Sequence, residues 1–357
     1  MAGVYISYPF CAQKCTYCNF ASGVFPRALQ MRYLDVLLAE LRSTEWAWVP
    51  ETVYLGGGTP SLLTPESLGT MLAAIPGRPW SEATIEAAPG GLSEDKIAAW
   101  RAAGINRVSL GVQSFVPKEL ARTGRRHTAE IVEQEIALLR AAGITSINVD
   151  LIAGLPGQTE ASWQQSLDWI ERLGVPHVSV YMLEVDEDSR LGRELLVLGP
   201  RYGAGEVPGE DAIADSYETA VERLARLGIE RYEISNFARP GYESRHNLKY
   251  WKREPYLGFG ADAHSFDGTM RWQNAEDAAD YVAAPSAIEQ VAAEPLSETF
   301  FLGLRLREGI ASDAFPDVIA RFVRDGLLER AGERVRLTPR GVLLSNEVFA
   351  EFIQPAG

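Results

Sequence analysis

Cys11, Cys15 and Cys18 lie in the stretch "CAQKCTYC" and are the three cysteines of a 357-residue chain. Closely spaced thiols in a reducing compartment bind metal or do redox work more readily than they form structural disulfides. Three is one short of the four protein ligands of a structural zinc, so a zinc site would have to borrow a histidine. The nearest, His127, is far along the chain. Three thiolates can instead anchor three irons of a [4Fe-4S] cluster and leave the fourth open to a small chelating ligand.

Other residues have types suited to holding such a ligand. The glycines of "YLGGGTPSLL" (54–63) suit a turn whose backbone must approach a ligand closely, or merely a tight turn. Glu86, Gln113, Arg125 and Asp150 supply acceptors and a guanidinium fork, the types that hold a polar small molecule, and each alone could equally be a surface or structural polar group. Further on, "RHNLKYW" (245–251) sets His246, Tyr250 and Trp251 together. An imidazole beside aromatic surface is what a flat iron macrocycle needs, and also what packs one segment against another. His264, in "GADAHSF", reads more readily as structural.

These residues need a frame. Short β-branched runs recur at 4–9, 52–57, 83–88, 107–112, 146–152 and 177–183, and the stretches between them carry apolar residues at helical spacing, several ending in Gly. This repetition predicts an α/β fold: six βα units forming a parallel sheet curled into a partial (β/α)6 barrel, with functional groups at the C-terminal strand ends. The cysteines follow the first strand, the glycines the second, and Glu86, Gln113 and Asp150 lie on or after strands three, four and five. After about residue 235 the rhythm changes to turn-rich aromatic sequence, then helical segments near 296–306 and 311–325 and a hairpin-plus-helix tail. The expected domains are 1–235, the barrel, and 236–357, a smaller α+β domain with a winged-helix-like end.

Apolar residues make up 46% and charged residues 23%, as in a folded globular chain. The formal charge of −14 argues against nucleic acid as a partner. No stretch has the make-up of a signal peptide or of a transmembrane segment, so a cytoplasmic location is expected.

"YISYPFCAQKCTYCNF" resembles the motif loop of the radical S-adenosylmethionine (SAM) superfamily. The resemblance implies that Cys11, Cys15 and Cys18 hold a [4Fe-4S] cluster whose fourth iron takes the amino and carboxylate groups of SAM, and that a low-potential donor supplies electrons. It implies contacts to SAM from Gly57 and Gly58 through backbone carbonyls, and from Thr59, Glu86, Gln113, Arg125 and Asp150. In the oxygen-independent coproporphyrinogen oxidase-like branch Tyr5, six before the first cysteine, belongs to the same site, as does Tyr17. Ala88 departs from the branch, where Asn or Asp is usual. The true coproporphyrinogen dehydrogenases carry a further cysteine two residues after the triplet and an N-terminal extension; this chain has Phe20 there, and only Met1 to Gly3 before the first expected strand. "RHNLKYW" resembles the HNxxYW motif of the branch's heme chaperones, which implies heme as a further cofactor, His246 as its ligand, and an acceptor hemoprotein, for example a respiratory one. The expected function is heme binding and transfer. The alternatives are oxygen-independent oxidation of coproporphyrinogen III and, ranked lower, a zinc-stabilised interaction protein.

Overall fold

Strict alternation along six strands produces a sheet with two unlike faces. In the computed structural model, which describes residues 2–285, 289–312 and 314–353, the strands are β1 (Ala2–Tyr8), β2 (Pro50–Gly57), β3 (Glu82–Ala87), β4 (Arg107–Gln113), β5 (Ser146–Ala153) and β6 (His177–Met182). They pair in parallel and in chain order. Val4, Ile6, Val53, Leu55, Ile85, Val108, Leu110, Ile147, Val149 and Val178 are fully buried on the outer face, under the crossover helices. The opposite positions are polar: Tyr54, Glu86, Ser109, Asp150 and Ser179 point into the lumen of the partial barrel, where cross-strand hydrogen bonds join Tyr54 to Glu86 and Ser109 to Asp150.

Local sequence starts the helices where this sheet needs them. Thr64, Ser93, Thr128 and Thr159 each accept a hydrogen bond from the backbone N–H three residues on, at Ser67, Lys96, Ile131 and Ser162. These caps open the crossover helices Pro65–Ala73, Glu94–Ala102, Ala129–Ala141 and Glu160–Leu173.

Later segments extend the same sheet at both edges. β7 (Glu230–Arg231) and β8 (Asn236–Ala238) add antiparallel beyond β6. β9 (Tyr256–Phe259) pairs parallel with β1, and β10 (His264–Phe266), β11 (Met270–Gln273) and β12 (Gln290–Ala292) continue from it antiparallel, giving a 12-stranded sheet. Strands on both sides of residue 235 therefore share one hydrogen-bonded sheet. The tail has helix Pro316–Arg324, hairpin β13 (Leu328–Ala331) and β14 (Arg334–Leu337), and helices Pro339–Leu343 and Ser345–Ala350, a winged-helix-like arrangement. Of the helical segment expected at 311–325, Asp313 lies outside the described residues.

Candidate functional site

The cysteine loop leaves β1 and folds back on itself. Cys11 N–H donates to the Gly23 carbonyl at 2.8 Å, and Gly23 N–H to that of Pro9 at 2.9 Å. Thr16 ties the far side of the loop to the end of the helix Pro117–Thr123 through Arg122 and Thr123 carbonyls, at 3.2 and 3.3 Å. All three cysteines are free and partly exposed. Burial pushes the Cys11 thiol up, hydrogen bonds from Thr59 and Ser22 pull it down, and charge on Cys18 and Cys15 raises it further. Three thiolates held on one short loop would need a cation between them. Among the described residues no three His, Cys, Asp or Glu side chains converge on one metal ion, as a zinc site requires. A cubane cluster asks less, because each of its irons takes a single thiolate.

The glycine turn after β2 lies against this loop. Gly58 N–H donates to Tyr8 O at 2.9 Å and Thr59 N–H to Phe10 O at 3.0 Å. A Cβ on Gly58 would stand 2.8 Å from the Pro9 carbonyl carbon and 2.9 Å from Phe10 N, and neither backbone can yield cheaply. Gly57 has φ +102°. Gly58→Ala is therefore expected to cost about 1–3 kcal/mol and to lower the iron content of the anaerobically reconstituted protein; urea unfolding and iron analysis check this, and wild-type values in both would refute it.

Tyr5, Ser7, Pro9, Phe20, Gly57, Glu86 and Asp262 line a cavity of about 120 Å³ below the turn. It meets, at Ala21 and Ser22, an open depression of about 350 Å³ reaching Lys14, Phe25 and Asp277. Tyr54 donates its hydroxyl to Glu86 Oε1 at 2.9 Å. Burial, and next the charge of Asp150, push the Glu86 carboxyl up to about 7. Asp150 is raised by burial, while Asn148 donates to its Oδ1 at 2.7 Å and Ser109 to its Oδ2 at 3.2 Å. Gln113 holds φ +73°, a strained conformation for a residue with a side chain, at the end of β4. Arg125 donates to the Gly111 carbonyl at 2.6 Å. Burial works against its charge, but Tyr17 and Cys15 outweigh burial and hold the guanidinium well above its usual range. Burial in turn raises Tyr17, against the pull of Arg125.

Glu86 makes stability depend on pH. In the folded chain it keeps its proton up to about 7, whereas its ordinary value is 4.5. Unfolding releases that proton, so stability is greatest below the unfolded value and falls as pH rises through the folded one. Comparing pH 8 with pH 4.5, Glu86→Gln should gain about 2–3 kcal/mol on the wild type, read as the difference between their urea unfolding curves. A difference that does not change with pH would refute the shift.

His246 is placed elsewhere, on the floor of the lumen. It is fully buried, with Nδ1 2.9 Å from Thr52 Oγ1, Nε2 2.7 Å from Tyr250 Oη, and its ring stacked on Tyr54 at 5.3 Å. Burial, then the charges of Lys249 and Arg107, lower its pKa to about 3. Its helix, Arg245–Trp251, docks onto the Glu82 carboxylate, which accepts hydrogen bonds from Ser244 Oγ at 3.3 Å, Arg245 N at 3.0 Å and His246 N at 2.9 Å.

Comparison with known proteins follows this geometry. Residues 5–170 match the model of the radical SAM superfamily, and residues 292–344 that of the HemN C-terminal domain. The chain is 34% identical to the heme chaperone HemW of Lactococcus lactis, covering 98% of this chain and 96% of the relative. Against HemW of Bacillus subtilis it is 34% identical, covering 99% of each. This chain belongs to the HemW family of radical SAM proteins. HemW of Mycobacterium tuberculosis is 37% identical over 97% of this chain and 93% of its own. Coproporphyrinogen III oxidase (HemN) of Escherichia coli, a solved radical SAM enzyme 22% identical to this chain, shares the fold with a TM-score of 0.84 over 98% of this chain and 89% of its own.

Within this family fold, Tyr5, Gly57 and Glu86 meet at one cavity, Cys11 is joined to it through Ser22, and Arg125 ties Cys15 and Tyr17 to the end of β4. His246 is separated from that cavity by the ring of Tyr54. Sequence reading passed over Tyr54, Glu82 and Asp262. The signal for the first two was present, since polar residues alternate through "PETVYLGG" and "EATIEA". Asp262 has no such signal: it enters through a left-handed turn, φ +60°.

Proposed function

We propose that this chain is a heme chaperone: it binds heme and passes it to an acceptor hemoprotein, with a [4Fe-4S] cluster and SAM as cofactors. Cys11, Cys15 and Cys18 would hold the cluster. Gly57, Gly58, Thr59, Glu86, Gln113, Arg125 and Asp150, with Tyr5 and Tyr17, would hold SAM. The donor set fits: three thiols on one loop, a glycine turn that excludes Cβ atoms, a buried guanidinium beside Cys15 and Tyr17, and the buried carboxyls of Glu86 and Asp150 in the lumen. When bound, the cluster supplies an iron with an open position and an electron at low potential. The chain's own groups orient the ligand: Arg125 offers a fork to a carboxylate, and Glu86 and Asp150 offer acceptors to hydroxyl and ammonium groups.

The observation that carries this reading over the oxidase alternative is Phe20. It stands where the dehydrogenases of the branch carry a cysteine, it is 65% exposed, and it lines the cofactor cavity with an apolar ring in place of a thiol. Full-length similarity to curated heme chaperones supports the same conclusion. No helix among the described residues is long and apolar enough to cross a membrane.

Heme does not fit the expected ligand in this structure. Both nitrogens of His246 are hydrogen-bonded and its ring is sealed from solvent. Anaerobic reconstitution, followed by heme loading and mixing with a heme-depleted hemoprotein, tests the function: recovery of the acceptor's heme spectrum is expected. Release of protoporphyrinogen from coproporphyrinogen III in the presence of SAM and reductant would establish the oxidase instead.

A further inference from the structure

A buried guanidinium without a hydrogen-bond acceptor is costly, so where one persists the structure leaves an anion to be supplied. Arg305, two residues beyond helix Pro295–Gly303, is such a group. Its Nε is buried without a partner, and so is the indole Nε1 of Trp251, over whose ring the guanidinium lies at 4.5 Å. Burial works against the Arg305 charge more strongly than Glu233 and Glu184 support it, and Glu233 is itself committed to the side-chain amide of Asn236. Arg253 and Arg271, by contrast, share the Glu298 carboxylate of that same helix, at 2.7 Å and at 2.6 and 2.8 Å. We propose that Arg305, with the Trp251 N–H beside it, is a carboxylate-binding site on the flank of the barrel lumen, and that it takes a carboxylate side chain of the heme.

Backbone pairing brings Arg305 to the lumen. Leu306 bridges antiparallel to Glu233, and Arg307 N–H donates to the Tyr232 carbonyl at 2.9 Å, which lays this segment along the turn between β7 and β8. Trp251 ends the helix that forms the barrel floor, where its neighbour Tyr250 meets His246. Arg305 therefore reaches from the β6 side of the sheet to the floor helix, across the open side of the partial barrel. Space exists there: Tyr181, on the lumen face of β6, is 43% exposed although burial pushes its hydroxyl well above the usual range. The charge of Glu233 acts on both Tyr181 and Arg305, which puts the guanidinium on that wall.

The chemistry of the site selects its ligand. Stacking on the indole occupies a face of the guanidinium and leaves its edge, the part that forks onto a carboxylate. The indole N–H adds a neutral donor. One cation and one N–H match a single negative charge, whereas the charges of Glu184 and Glu233 oppose a doubly charged phosphate. Heme carries its negative charge as carboxylates on flexible arms, so an arm can reach Arg305 without the macrocycle lying against it.

This inference rests on the heme-chaperone reading and names where the charge of the cargo is held. The full chain with reconstituted cluster is titrated with ferric heme and with its dimethyl ester, in which both carboxylates are blocked, and followed in the Soret region. Wild type is expected to bind heme roughly tenfold or more tightly than the ester. Arg305→Met should lose that factor toward heme and nothing toward the ester, so that the preference disappears while cluster content stays at the wild-type level. Arg305→Lys, which keeps the charge but not the fork, and Trp251→Phe, which keeps the ring but not the N–H, should each lower the preference and keep the unfolding midpoint. They decide the matter if the Met variant does not fold: a wild-type preference in both would overturn the inference. So would a wild-type protein that binds heme and ester alike, or an Arg305→Met protein that weakens equally toward the two, since packing alone then explains Arg305. Each of these leaves the chaperone reading standing. A wild-type protein that takes up neither ligand would overturn the chaperone reading and this inference together.

Discussion

Replacing Cys15 with serine should abolish the cluster while leaving the fold intact. An alkoxide is not available near neutral pH, so serine cannot take the place of the thiolate on its iron, and a cube held by two cysteines is lost to chelation and oxygen. Reconstituted wild type should contain about four irons and four sulfides per chain, and the variant close to none. Far-ultraviolet circular dichroism and the urea midpoint should be unchanged, because all three cysteines are partly exposed and lie outside the buried core. SAM binding should fall with the cluster, since the open iron is the proposed anchor for its amino and carboxylate groups. Arg125, which faces Cys15 and Tyr17, would lose one of the two groups that sustain its charge in a buried setting. A variant that retains iron and sulfide at wild-type levels would show that Cys15 is not a ligand.

Much of the frame was legible because its signal is local. β-branched runs separated by capped amphipathic helices mark a parallel βα array, and all six strands lie where those runs predict them. The three cysteines and the glycine turn follow the first and second strands, so their place at the C-terminal end of the sheet follows from connectivity. The destination of "RHNLKYW" was not legible. Its residue types suit a macrocycle and a packed floor equally, and what decides between them is long-range pairing. Thr52 lies 194 positions from His246, and Glu82 lies 164 from it. No periodicity or local spacing encodes such contacts. Nor could composition reveal that β9 joins β1 at the sheet edge, where it brings Asp262 to the cavity lined by Tyr5 and Glu86.

Glu82→Ala is expected to be the most destabilising single change in the barrel. Glu82 is 6% exposed and serves two partners at once. One oxygen lies 3.9 Å from Arg107 Nε, whose side chain is 3% exposed, and the pair of oxygens takes the hydroxyl of Ser244 and the backbone N–H groups of Arg245 and His246. Removing the carboxylate takes from a buried guanidinium one of its counter-charges, leaving Asp150, and leaves two N–H groups of a helix start without acceptors. Breaking a buried pair from one side costs about 3–5 kcal/mol, more than the pair itself contributes, because the remaining charge cannot regain water. Glu82→Gln keeps an oxygen for the helix but not the charge, so its cost should be smaller, about 1–3 kcal/mol. The loss should be spatially graded. Helix Arg245–Trp251 is also held by Lys249, paired with Glu51 at 2.9 Å and Glu254 at 3.0 Å, so it should loosen at its N-terminal end first. Amide exchange should therefore quicken at 245–247 before the outer-face strands lose protection, and the urea midpoint should drop in the order wild type, Gln, Ala. Equal midpoints for all three would mean that the floor is held by Lys249 and the aromatic stack alone, and that Glu82 adds nothing to the docking of the segment carrying His246.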